Sequence, residues 1–155
     1  MDSTNIITPK LSIITNIGFD HCQYLGNTLQ EIATEKGGII KQNGKVLIGE
    51  ADGVCREVFE KIATEKSAEI HFAEQNNDVD LSQFDLQGDY QRFNINCVNS
   101  ALSILSKIGY SFDNQSVEEG LKNTARNTGL LGRWQVISHN PTTICDTGHN
   151  AHGLK

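Results

Sequence analysis

Residues 11–17, Leu-Ser-Ile-Ile-Thr-Asn-Ile, form a largely apolar, β-branched run that stops at Gly18. Such a run reads as a buried parallel strand entering a tight turn, because a strand covered on both faces carries apolar side chains at most positions. Asp20 and His21 follow directly. They stand past the strand's carboxyl end, the edge of an open α/β sheet where loops converge and helix N-termini offer N–H groups to phosphates. Thr28 and Glu31 have the spacing of a capping box, and Ile32, Ile39 and Ile40 follow as an apolar stripe. That sets Lys36 on a helix close to the same edge. Taken alone, one histidine and one lysine make a weak constellation, and an ordinary loop with a solvated helix lysine is the alternative reading.

The remainder of the chain keeps alternating between the two periods. Residues 45–49 read as a short buried strand, and residues 51–63 as a helix with Val54, Val58, Phe59 and Ile62 on one face. Residues 69–73 make another strand. The polar stretch 75–89 carries Val79, Leu81, Phe84 and Leu86 at near two-residue intervals, which predicts an irregular excursion with edge strands. Helices are expected over 93–108, ending at Gly109, and over 115–125 after the turn-like Asp113-Asn114. Two strands, 134–138 and 142–145, flank the Asn140-Pro141 turn. The expected class is α/β, a mostly parallel sheet with flanking helices and some antiparallel edge strands.

At 155 residues, with 37% apolar and 21% charged residues, the chain is long enough for one globular domain with a core. A net charge of -6, with no basic cluster interleaved with aromatics, argues against a general nucleic-acid binder. No apolar run is long enough to span a bilayer, and Met1-Asp2-Ser3-Thr4-Asn5 lacks the charged and apolar regions of a signal peptide. The expected location is the cytoplasm. Cys22, Cys55, Cys97 and Cys145 are irregularly spaced, without a Cys-x-x-Cys pair, and read as reduced thiols. Cys145, His149 and His152 have a superficially ligand-like spacing, but no fourth metal ligand is evident.

Six segments in order carry a resemblance to a known family. They are Asp2-Ser3-Thr4-Asn5, residues 14–21, Glu35-Lys36-Gly37-Gly38-Ile39-Ile40-Lys41, Gly88-Asp89-Tyr90-Gln91 with Asn94, Gly132-Arg133, and Asp146-Thr147-Gly148-His149-Asn150. Together they resemble the successive motifs of folylpolyglutamate synthase/dihydrofolate synthase, the folate branch of the Mur ligase superfamily. The resemblance implies the later part of a Mur ligase central ATPase domain over residues 1–134, and the start of the C-terminal Rossmann-like domain over 135–155.

It also implies roles at matching positions. His21 resembles the family's magnesium ligand, and Lys36 the lysine that becomes carbamylated, turning a cation into an anionic oxygen ligand. Asn94 resembles the side chain that bonds the nucleotide, and Arg133 the linker arginine that reaches ATP phosphates, a role suited to a permanently charged, bidentate guanidinium. Asp146 and His149 resemble the pair that opens the C-terminal domain, the first toward the ribose, the second toward the γ-phosphate and incoming glutamate. Asp2 looks like a substrate-side residue. The family usually reads Asp-x-Ala-His-Asn-Pro at this last motif, whereas Gly148 and Ala151 stand here for the Ala and the Pro.

The implied activity uses ATP and Mg2+ to join L-glutamate to dihydropteroate or a reduced folate through an acyl phosphate. Family members also carry an upstream phosphate loop and a metal-binding glutamate. This sequence contains no Gly-x-x-x-x-Gly-Lys-Ser/Thr segment. The expectation is therefore a fragment, inactive alone, that self-associates to cover open sheet edges; a stand-alone nucleotide-binding or remnant half-domain is the alternative.

Overall fold

The computed structural model describes residues 3–19, 25–51, 53–86 and 88–148. Three parallel strands, β1 (Ser12–Ile14), β2 (Lys45–Ile48) and β3 (Glu69–Phe72), pair in sequence order, with Ser12 opposite Val46 and Val46 opposite Ile70. Helix α1 (Leu29–Gly37) lies between β1 and β2 in the chain, and α2 (Gly53–Glu65) between β2 and β3. Parallel neighbours require such crossovers, since a tight turn reverses the chain.

Strand β2 decides the layering. Val46, Leu47 and Ile48 are all fully buried. Alternation along the strand sends Val46 and Ile48 to one face, where they meet Ile14, Ala33 of α1, Ile40, and Cys55 and Phe59 of α2. Leu47 points to the other face, packing with Ala73 and with Cys97, Ala101 and Ile104 of α3 (Gln91–Lys107). Helices therefore cover both faces of a parallel sheet, as the unbroken apolar run of β2 demands.

Several expected boundaries move, each for a local reason. Strand β1 ends at Ile14 rather than at residue 17, because β2 stops opposite it at Ile48; the Thr15 carbonyl still accepts from Glu50 N–H at 2.9 Å. Thr28 caps α1 with the reciprocal Glu31 contact as expected, but the helix closes at Gly37. Ile40 thus reaches the core from the turn beyond it. In α2 the buried positions are Cys55, Phe59 and Ala63, while Val54 is 52% exposed at the stripe's edge.

Among the described residues the excursion 75–89 holds no strand, only a 3-10 turn at Leu81–Gln83. There Asp80 and Asn76 side chains accept from Ser82 and Asp78 N–H groups at 3.0 and 2.9 Å, offering the backbone a local partner in place of a ladder. The helix expected over 115–125 is two helices, α4 (Asn114–Lys122) and α5 (Thr124–Thr128). Asn123 interrupts them by donating its side-chain amide back to the Glu119 carbonyl at 2.9 Å.

The antiparallel strands expected at a sheet edge occur instead as a separate hairpin, β4 (Gln135–His139) with β5 (Thr142–Cys145), bulged near Ile137. Trp134 is not its first residue, because its φ of 49° takes it out of extended geometry. Cys97 and Cys145 are free thiols, Cys55 is buried with its Sγ donating to the Leu29 carbonyl at 3.8 Å, and Cys22 lies outside the described residues. Among the described residues no helix is long and apolar enough to cross a membrane.

Phe59, wholly buried between α2 and the sheet, is the largest such side chain. Phe59→Ala is expected to cost about 3–5 kcal/mol in urea unfolding monitored by circular dichroism; a loss under about 1 kcal/mol would contradict this core assignment.

Candidate functional site

The carboxyl ends of all three parallel strands open onto one hollow of about 410 Å³. Asn16 and Ile17 enter it after β1, Gly49 after β2, and Ala73 and Gln75 after β3, while Phe93 of α3 closes the far side. Gln75 is fixed there by donating its amide to the Gly49 and Ala73 carbonyls at 3.0 and 3.1 Å. Arg56 lies over the Phe72 ring, 3.7 Å from its centroid, and both belong to the same wall. Sequence periodicity did not single out Arg56 or Phe72, which meet only once β3 and α2 pack together.

Lys36 sits in the last turn of α1, where its Nζ donates to the Asn16 carbonyl at 3.0 Å. The capping box fixes the helix start, and this contact ties its end to the loop after β1. As an ammonium group Lys36 has donors and no lone pair, so it is no metal ligand in that state. The segment that carries Lys36 also meets the first motif segment: Lys41 Nζ donates to the Asn5 carbonyl and to its side-chain oxygen, the latter at 2.7 Å.

Asn94 occupies the first turn of α3, whose cap is Tyr90. Its side-chain amide donates to Gln91 Oε1 at 2.8 Å, and both line an apolar hollow of about 110 Å³ with Phe84, Leu86, Ile95 and Leu121. A small apolar slot with an amide at its rim suits a flat ring that carries hydrogen-bonding nitrogens.

Arg133 and Asp146 are brought together at the base of the hairpin. Thr147 N–H donates to the Gly132 carbonyl at 2.8 Å, and Arg133 Nη1 bonds the Thr147 hydroxyl. Gly132 has φ of 67°, and a Cβ there would lie 2.7 Å from Thr147 Cγ2, so the turn requires a glycine. The Asp146 carboxylate accepts from Gly148 N–H on Oδ1 at 2.7 Å. Its Oδ2 accepts from Trp134 N–H at 2.7 Å and faces the Tyr90 hydroxyl at 3.4 Å. The Gly148 and Trp134 amides, followed by the nearby Arg133 charge, hold the carboxyl below the usual carboxylate range. Tyr90, quoted above only as part of a motif, is the residue whose placement at this carboxylate the sequence did not signal.

Asp2, His21 and His149 lie outside the described residues. Among the described residues no group of three His, Cys, Asp or Glu side chains is placed to hold a metal ion. His21, the expected Mg2+ ligand, is not among them. Asn94, Arg133 and Asp146 offer an amide, a guanidinium and an ionised carboxylate.

A parallel sheet covered by helices on both faces, with a hollow at its carboxyl edge, defines an α/β domain. Comparison with known proteins narrows this: residues 2–124 match the Mur ligase middle domain, and the chain belongs to that family. It is 35% identical over 162 residues to a dihydrofolate synthase/folylpolyglutamate synthase of Buchnera aphidicola subsp. Acyrthosiphon pisum, and 29% identical over 177 residues to the Bacillus subtilis enzyme of the same name. Those alignments cover 97% and 99% of this chain but 38% and 40% of the relatives, so the chain spans about two fifths of their length. Among solved structures it is similar to an FPGS–AMPPCP–folate complex, with a TM-score of 0.81 and 25% identity over 99% of this chain and 42% of that one. A mutant of L. casei FPGS gives a TM-score of 0.78 at 26% identity, with the same two shares.

Because the folded Asp146 pKa is depressed, its ionised contacts are fully present above the usual carboxylate range and are lost as pH falls through the depressed value. A carboxyl-carbon NMR titration is expected to give Asp146 a midpoint below that range, and a midpoint at or above it would contradict the turn geometry.

Proposed function

We propose that this chain is a fragment of an ATP-dependent carbon–nitrogen ligase of the folate branch, which joins L-glutamate to dihydropteroate or a reduced folate. In that reading residues 1–134 belong to the central ATP-binding domain and 135–155 open the C-terminal domain. Location in the cytoplasm goes with it. The observation that carries the reading is the hairpin turn, where an ionised Asp146 and the Arg133 guanidinium sit beside the start of the helix bearing Asn94.

Each group has a task suited to its chemistry. Asn94 bonds the base at the rim of the apolar slot, Asp146 accepts from ribose hydroxyls, and Arg133 balances charge on the phosphates. ATP phosphorylates the pterin-linked carboxylate, and the glutamate amine then displaces phosphate from the acyl phosphate to give the amide. His149 is proposed beside the γ-phosphate and the incoming amine, and Asp2 on the substrate side.

Lys36 is proposed to be carbamylated: the neutral amine adds carbon dioxide, giving a carbamate and releasing a proton. The carbamate nitrogen keeps one N–H, so the bond to the Asn16 carbonyl survives the change. With His21 it would hold Mg2+, which when bound neutralises developing phosphate charge. The sequence holds no phosphate loop of the Gly-Lys-Ser/Thr kind, the element that cradles a triphosphate in such enzymes.

The 155-residue chain supplied with Mg-ATP, L-glutamate and dihydropteroate is therefore expected to release no phosphate above background. Restored release on adding the phosphate-loop half of a relative would support the reading. Glutamate-dependent release by the chain alone would overturn the fragment assignment.

A further inference from the structure

We propose that Tyr90 is a positioning residue for Asp146, its hydroxyl linking the start of α3 to the hairpin turn so that the carboxylate faces a nucleotide at the central domain. The proposal rests on the reading of Asp146 as the ribose ligand.

Three donors converge on the Asp146 carboxylate, and they differ in origin. Gly148 and Trp134 N–H groups belong to the segments flanking the hairpin, so they orient the carboxylate only within its own unit. Tyr90 alone of these three comes from the helical layer, where it caps α3 one turn before Asn94. It is thus the contact that relates the proposed ribose ligand to the proposed base ligand.

The tyrosine ring is itself held in place. It lies against Gly88, where a Cβ would come within 2.4 Å of Tyr90 Cε1, so the ring uses the space a side chain would fill. Burial, followed by the Asp146 charge, raises the Tyr90 pKa, which keeps the hydroxyl protonated and able to donate. At 3.4 Å the contact is longer than a strong O–H···O bond. A carboxylate has about four acceptor sites, so three donors leave room for a ribose hydroxyl beside Tyr90. A long contact of this kind can tighten or give way as the turn adjusts to nucleotide.

Trp134 is the only tryptophan in the chain and donates to the same Oδ2, so its fluorescence reports on this turn. Tyr90→Phe keeps the ring against Gly88 and removes only the hydroxyl. In the nucleotide-free chain the variant is expected to raise acrylamide quenching of Trp134 and to move the Asp146 carboxyl midpoint upward, with the thermal midpoint unchanged. Unchanged quenching together with an unchanged Asp146 midpoint would overturn the proposal, and so would changes of the same size in an Asp146→Asn background. Titrated with Mg-ATP, Tyr90→Phe is expected to bind about 3- to 10-fold more weakly, the factor for one hydrogen bond weakened by its length. If the unsubstituted chain shows no response to Mg-ATP while Tyr90→Phe still shifts the nucleotide-free signals, the ribose reading fails and the Tyr90 link stands.

Discussion

Burial of β2 on both faces is the constraint from which the rest of the arrangement follows. Val46 and Ile48 need one apolar layer and Leu47 needs another, so α1 and α2 must pack on one side of the sheet and α3 on the other. Once they do, the carboxyl ends of β1, β2 and β3, the last turn of α1 and the first turn of α3 share one edge of the molecule. Packing of three apolar side chains puts Asn16, Gln75 and Phe93 around a common hollow.

The hairpin base works by a different physics. Its strands β4 and β5 are largely exposed, so little apolar burial holds the turn in shape. Backbone amides aimed at a carboxylate do so instead, with Gly132 allowing the chain to fold back tightly against Thr147. A carboxylate that accepts from backbone N–H groups is favoured in its ionised form, and the Arg133 guanidinium lies alongside it. The turn thus presents fixed charges of both signs next to the helix that carries Asn94, an arrangement suited to a ligand with both hydroxyl and phosphate groups.

The layered sheet was legible because its cause is local. The runs at 45–49 and 69–73 and the Thr28–Glu31 capping box each mark an element from its own residues. Lys36 at the carboxyl edge followed from the same patterns. The excursion 75–89 was misread because its apolar spacing imitates a strand, while Asn76 and Asp80 satisfy the backbone locally, a competition that period counting does not register. Asn123 split a helix for the same reason. Tyr90 escaped notice because its partner lies 56 positions away, and only tertiary packing brings a tyrosine before one helix to an aspartate after a hairpin. The order of six motifs, by contrast, pointed to the family through residues whose individual geometry the sequence leaves open.

In the proposed function the start of α3 and the hairpin base together form one nucleotide site. The most direct test is a nitrogen–proton NMR titration of the chain with Mg-ATP, following the Asn94 side-chain amide and the backbone N–H groups of Trp134 and Gly148. All three signals are expected to shift along one binding curve. Absence of any shift at saturating nucleotide, or shifts confined to residues remote from this edge, would contradict it.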